Sequence, residues 1–139
     1  MNLLLDTHAF LWLVGEPSKL PGGLLAALAD ARNRLAVSAA SAMEVSTKVR
    51  IGKLATAAHL ADPQTWAARV RQVGAWPLPI THQEAILAGS LPWDHRDPFD
   101  RFLAAQALLG SMTLVSRDQA FADLSGLRRL WDAPKAQTV

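Results

Sequence analysis

The sequence predicts an α/β protein built as one three-layer domain, a short parallel sheet flanked by helices. Two observations carry this reading. Apolar runs of three to five residues alternate with stretches of helical spacing, the order expected of βαβ units. Those runs also lack the polar alternation of a sheet with one wet face, so their strands are expected to be covered on both sides. The 139 residues show no internal repeat, low-complexity tract or linker, and half of them are hydrophobic. A chain of this length buries roughly 68–70% of its unfolded surface as a single domain. The domain is placed at residues 1–132, with 133–139 as a frayed tail.

Leu3 to Leu5 is an apolar run closed by Asp6, the pattern of a buried strand. Thr7 to Val14 reads as a helix ended by Gly15-Glu16-Pro17. Pro21 can open a second helix at its first position, running through Leu24, Leu25 and Leu28 towards Asn33. Leu35 to Val37 is a second strand, and a helix from Ser38 or Ser41 carries Met43, Val45 and Val49 to Gly52. A helix over Pro63 to Val73 places Trp66 and Val70 four apart, and Gly74 ends it. Trp76 to Ile80 holds two prolines and is fit only for a sheet edge. Thr81, with Glu84 three residues on, spells a capping box. The loop from Leu91 to Asp97 leads into an apolar helix, Pro98 to Leu109, ended by Gly110. Thr113 to Val115 is a third buried strand, Asp118 opens a short helix through Leu124, and Leu127 to Trp131 can form a last strand.

Composition excludes several chemistries. Without cysteine there is no disulfide, thiolate nucleophile or Cys-based zinc site. The apolar start lacks a basic leader region and is interrupted by Asp6 and His8, and no stretch approaches the roughly 20 apolar residues of a membrane span. A soluble, cytoplasmic protein is expected. Charge is nearly balanced at +2, yet the sequence pI is about 9.5, and sinking acids in one pocket would leave a more basic surface suited to an anionic partner.

The chemistry-bearing residues are acids. Asp6, Glu44, Asp100 and Asp118 each stand where a strand hands over to a helix. If the intervening segments are crossovers, a parallel sheet gathers such residues outside the carboxyl ends of its strands. Carboxylates held together repel unless a cation lies among them, and oxygen-only donors suit Mg²⁺ or Mn²⁺. A plainer reading exists for each. Asp6, Asp97 and Asp118 can be helix N-caps, Ser41 and Glu44 have capping-box spacing, and Asp100 at a third helical position favours the helix dipole. Yet Glu44 and Asp100 sit among core-forming residues, and few basic residues are placed to pair with them.

Taken together, LLLDTHAFLWL, VSAASAMEVSTKVRIGKL and LPWDHRDPFDRFLAAQALLGSMTLVSRDQAF resemble the PIN-domain ribonucleases, and more narrowly the toxin subunits of VapBC-type toxin–antitoxin pairs. The resemblance covers most of the chain and is weakest over 55–75 and after Asp123. It implies a PIN-like domain in which Asp6 and Asp100 bind the principal metal, with Glu44 and Asp118 completing its surroundings through water or holding a second ion. Asp97 would be an additional or alternative ligand, and Ser116 and Thr7 accompany the acids. The implied reaction is hydrolysis of RNA phosphodiesters by a water activated on Mg²⁺ or Mn²⁺. The implied partners are an RNA substrate, a small DNA-binding antitoxin and a second copy of the chain.

Arg96, Arg101 and Arg117 flank the acids and read either as RNA contacts or as a solvated face and ion pairs. The four histidines include no pair at metal-ligand spacing and are given no catalytic role, and Trp12 is assigned to the core. A phospho-accepting receiver domain would want adjacent acids after the first strand and a late lysine, whereas Thr7 follows Asp6 and Lys135 lies in the tail. The alternative of another class is a non-catalytic RNA- or protein-binding module whose acids serve only as caps.

Overall fold

The computed structural model describes residues 1–132, so the tail from Ala133 lies outside the described residues. Five parallel strands stand in the order β3-β2-β1-β4-β5, with β1 at Asn2–Leu5, β2 at Arg34–Ser38, β3 at Ala75–Leu78, β4 at Thr113–Val115 and β5 at Arg129–Leu130. The chain runs outward from β1 through β2 to β3, then returns to lay β4 on the other side of β1. That reversal makes the carboxyl ends of β1 and β4 the topological switch point, the place where open α/β sheets bind ligands.

Strand alternation divides the core in two. Leu3, Leu5, Leu35, Val37 and Val115 face helices α1 (Thr7–Gly15), α2 (Gly22–Ala29) and α4 (Pro63–Gln72), through residues such as Phe10, Leu24 and Val70. Leu4, Ala36 and Leu114 face the other way, onto Leu103, Ala104 and Ala107 of α6 (Pro98–Leu109) and Leu87 of α5 (His82–Ser90). Uninterrupted apolar strands are therefore sandwiched as expected, because both faces bury them. A satellite cluster joins Val45 of α3 (Ala39–Arg50) to Ala57 and Leu60 in the 3-10 turns at Ala55–Ala61, a segment without a regular apolar period in the sequence.

Most boundaries fall where the sequence puts them. Pro77 lies on the edge strand β3, where its missing N–H costs no inner ladder bond. The capping box of α5 forms, Thr81 Oγ1 accepting from the Glu84 amide and Glu84 Oε1 from that of Thr81. Gly52 and Gly74 follow their helices at φ +78° and +73°, a left-handed turn that costs glycine little. Three expectations change. Pro21 is the N-cap of α2, not its first residue, and the helix stops at Ala29, where Asp30 Oδ1 takes the Arg32 amide and starts a turn. Ser38, not Ser41, caps α3, so Glu44 is the sixth helical residue and its capping box with Ser41 does not form. The helix expected after Asp118 is a 3-10 turn, Gln119–Asp123.

Candidate active site

Four chain segments meet at the switch point between β1 and β4. Asp6 follows β1 directly and caps α1, its Oδ1 accepting from the Ala9 amide at 2.8 Å. Its own amide donates to the Val115 carbonyl at 3.0 Å, which fixes it against the end of β4. Glu44 is buried in the middle of α3. Asp100 is in the first turn of α6, and Asp97 caps that helix through the amides of Phe99 (2.8 Å) and Asp100 (3.3 Å). Asp118 is exposed and caps the 3-10 turn after β4 through the Ala120 amide. Buried Ser116 accepts from the Asp118 amide at 3.0 Å.

The acids feel one another. Glu44 raises the pKa of both Asp6 and Asp100, and Asp97 raises that of Asp100 further. One oxygen of Asp118, one of Asp100 and a ring nitrogen of His95 all lie within 4.8 Å of one another. Thr7, placed beside the first acid in the sequence, turns to Glu44: its Oγ1 donates to Oε1 at 2.5 Å and lies 3.0 Å from Ser41 Oγ.

The sequence profile of the PIN domain matches residues 3–127. The chain belongs to the PIN domain family. Solved structures share its fold at low identity. VapBC2 from Rickettsia felis, bound to a DNA fragment of the promoter, superposes with a TM-score of 0.67 at 18% identity over 95% of this chain and 100% of the other. DNA-bound VapBC from Salmonella typhimurium gives 0.66 at 16% identity, over 94% and 97%. A toxin-antitoxin complex from Klebsiella pneumoniae gives 0.59 at 20%, over 90% and 94%. No curated protein sequence matches the chain significantly.

Two features of this PIN domain's site escape a reading of spacing. Glu44 is not without a cation, because Lys48, one turn on in α3, reaches its Oε2 at 2.6 Å. The i, i+4 spacing was in the sequence and gives such a pair on any helix. His95 Nε2 lies 2.7 Å from Asp100 Oδ2, although no histidine pair pointed to it. The flanking arginines also separate. Arg101 is neither a salt bridge nor an exposed contact: it donates to the carbonyls of Ala88, Leu91, Trp93 and His95 at 2.7–2.8 Å. It thereby closes the C-terminal end of α5 and pins the loop over 91–97. Arg96 and Arg117 are exposed, Arg117 lying 5.0 Å above the half-buried Trp12, which packs at the surface of the core on Trp131.

Burial is the main reason that Asp6 and Asp100 hold protons above the ordinary carboxylate value. For Asp6, the Ser116 hydroxyl, the Ala9 amide and His8 oppose the rise. Asp100 is pushed up to about 6 despite the opposing contact with His95. Between about pH 4 and 6 folded Asp100 therefore keeps a proton that the unfolded chain has lost. Its contribution to metal-free stability is fully present below that window and is lost through it, and Asp6 acts in the same direction. Asp30 and Asp62, held low by Arg32 and by Thr65, act only beneath it. Thermal melts in chelator are expected to show Tm falling from pH 4 to 6, with a shallower fall in Asp100→Asn. Equal slopes in the two proteins would contradict the assignment.

The donor set fits a hard divalent cation. Asp6 and Asp100 are largely buried carboxylates, and among the described residues neither is paired with a lysine or arginine. Oxygen donors of this kind match Mg²⁺ or Mn²⁺.

Proposed function

We propose that this PIN domain is a cytoplasmic, divalent-metal-dependent ribonuclease, the toxin of a two-component pair, restrained by a small DNA-binding antitoxin and working as a homodimer. The observation that carries the nuclease reading is a linked set of acids. Glu44 raises the proton affinity of both Asp6 and Asp100, Asp118 lies within 4.8 Å of Asp100, and among the described residues no arginine is paired with any of the four. The toxin reading is supported by likeness over nearly the whole chain to VapBC and toxin-antitoxin structures. No helix among the described residues is long and apolar enough to cross a membrane.

In this reading Asp6 and Asp100 hold Mg²⁺ or Mn²⁺, with Asp118 beside Asp100. A bound ion would supply Lewis-acid stabilisation of the phosphate and a water of lowered pKa. Asp6 keeps its helix cap on one oxygen, which leaves the other for a ligand. Glu44 holds Thr7 and Lys48, and its negative charge bears on both Asp6 and Asp100. Ser116 steadies both Asp6 and the turn that carries Asp118. Asp97 spends an oxygen on two helix amides and is assigned the cap of α6.

The cap-only alternative has support at Asp6, Asp97 and Asp118, which do cap. It accounts for Asp100 only through its place in the first turn of α6 and for Glu44 only through Thr7 and Lys48, since neither caps a helix. The purified protein is expected to cut RNA in Mg²⁺ or Mn²⁺ and to stop in excess EDTA. Undiminished cleavage in chelator, with contaminating nuclease excluded, would sink the metal mechanism.

Glu44→Gln separates charge from hydrogen bonding. Glutamine's single carbonyl oxygen can still accept from Thr7, while its amide nitrogen cannot accept from Lys48, whose partly exposed ammonium can turn to water. Metal-free unfolding should therefore move by about 1–2 kcal/mol, a few degrees in Tm. Cleavage and metal-induced stabilisation should both fall sharply, because a neutral amide compensates a divalent ion poorly. A variant that cuts RNA at the native rate would leave Glu44 a purely structural residue.

A further inference from the structure

The loop over 91–97 is built more firmly than a surface connection requires. Arg101 binds three of its carbonyls, one of them that of His95 itself. The His95 ring stacks on Trp93 with centroids 4.7 Å apart, and Phe121 stands 6.3 Å away on another side. Trp93 and Phe121 in turn contact each other. A side chain about a quarter exposed is thus held in place by an arginine and two aromatics, with Nε2 aimed at Asp100. On the open side, an oxygen of Asp118 completes a triangle with edges no longer than 4.8 Å. Ligands around an ion at 2.0–2.2 Å are separated by roughly 3–4.4 Å, so the 2.7 Å contact of His95 with Asp100 would open by a few tenths of an ångström to take one, with Asp118 in reach within 4.8 Å.

We propose that His95 is a nitrogen ligand of the metal site, joining Asp100 and Asp118 so that the donor set is mixed and favours Mn²⁺ over Mg²⁺. The inference rests on the metal reading above and adds a residue and a selectivity to it. Imidazole raises affinity for later first-row ions, while Mg²⁺ gains little from exchanging an oxygen donor for nitrogen. Asp100 then exchanges its contact with the ring for a shared ion. A merely orienting histidine would hold Asp100 equally well for either ion.

The test uses the whole protein loaded with Mn²⁺ and with Mg²⁺, compared with His95→Gln, whose amide can still donate to Asp100. Pulsed electron paramagnetic resonance of the Mn²⁺ form is expected to show coupling to a directly bound ¹⁴N nucleus, absent in the variant. Mn²⁺ affinity, by titration calorimetry, should weaken about 10- to 100-fold in His95→Gln, a range comparable to losses on altering metal-site residues, while Mg²⁺ affinity changes by less than about threefold. Bound Mn²⁺ without nitrogen coupling in the native protein, or equal loss for both ions, would make His95 a positioning residue and overturn the proposal. Nitrogen coupling in a protein that leaves RNA intact would support the ligand and overturn the ribonuclease reading instead. RNA cleavage by a Mn²⁺ form without nitrogen coupling would do the reverse.

Discussion

Asp6→Asn and Asp100→Asn are each expected to lower RNA cleavage by at least about a hundredfold, the equivalent of about 3 kcal/mol in the barrier, while the metal-free fold survives unchanged or gains stability. Asp6 is buried and Asp100 partly buried, and desolvation first, then neighbouring negative charge, raises the proton affinity of both. Neutral asparagine removes that cost. It also preserves the local structure, because asparagine caps α1 about as well as aspartate through the Ala9 amide. What it removes is the charge that compensates a cation. Single-turnover cleavage and chelator-treated melts measured side by side check both halves. An Asp6→Asn protein within tenfold of native activity would return Asp6 to the role of a cap, and a collapse of Tm would show that the carboxylate is structural.

Arg101→Ala should be among the most damaging substitutions to stability. Four carbonyls, including that of Ala88 near the end of α5, lose the guanidinium at once, and of these Leu91 keeps the Trp93 amide. Bonds from a charged donor are each worth about 1.5–3 kcal/mol and do not add fully, so a loss of about 3–5 kcal/mol is expected, roughly 10–15 °C in Tm. Arg101→Lys should recover little, since one ammonium cannot span the positions a planar guanidinium reaches. Activity should fall with it, because the freed loop carries His95 away from Asp100. A Tm within two degrees of native would show that water satisfies those carbonyls.

How much was legible follows from the range of the interactions. The strands at Leu3–Leu5 and Thr113–Val115 and the α6 helix from Pro98 announce themselves through local pattern, and caps such as Thr81 with Glu84 depend on residues three apart. The choice of Ser38 over Ser41 as the cap of α3 was not local. Ser38 Oγ donates to Gln106 Oε1 in α6, 68 residues away, and the buried Gln106 also donates to Pro79 and Glu84. No spacing rule reveals such a partner. The Lys48 partner of Glu44 follows from local i, i+4 spacing, whereas that of Asp100 at His95 does not, because its contact depends on a loop held by Arg101.

By itself the sequence determined the alternation of strands and helices, the burial of the sheet on both faces and the hard-oxygen character of the four acids. Those properties follow from residue type and near-neighbour spacing. Only the tertiary structure decided that β4 returns beside β1, that Asp100 and Asp118 come together with His95, that Glu44 bears on both Asp6 and Asp100, and that Glu44 meets Lys48 and Thr7 before anything else. The physical reason is burial and long-range closure. A carboxylate's charge, partners and proton affinity are set by what surrounds it, and for Asp6 and Asp100 the surroundings come from segments up to a hundred residues apart.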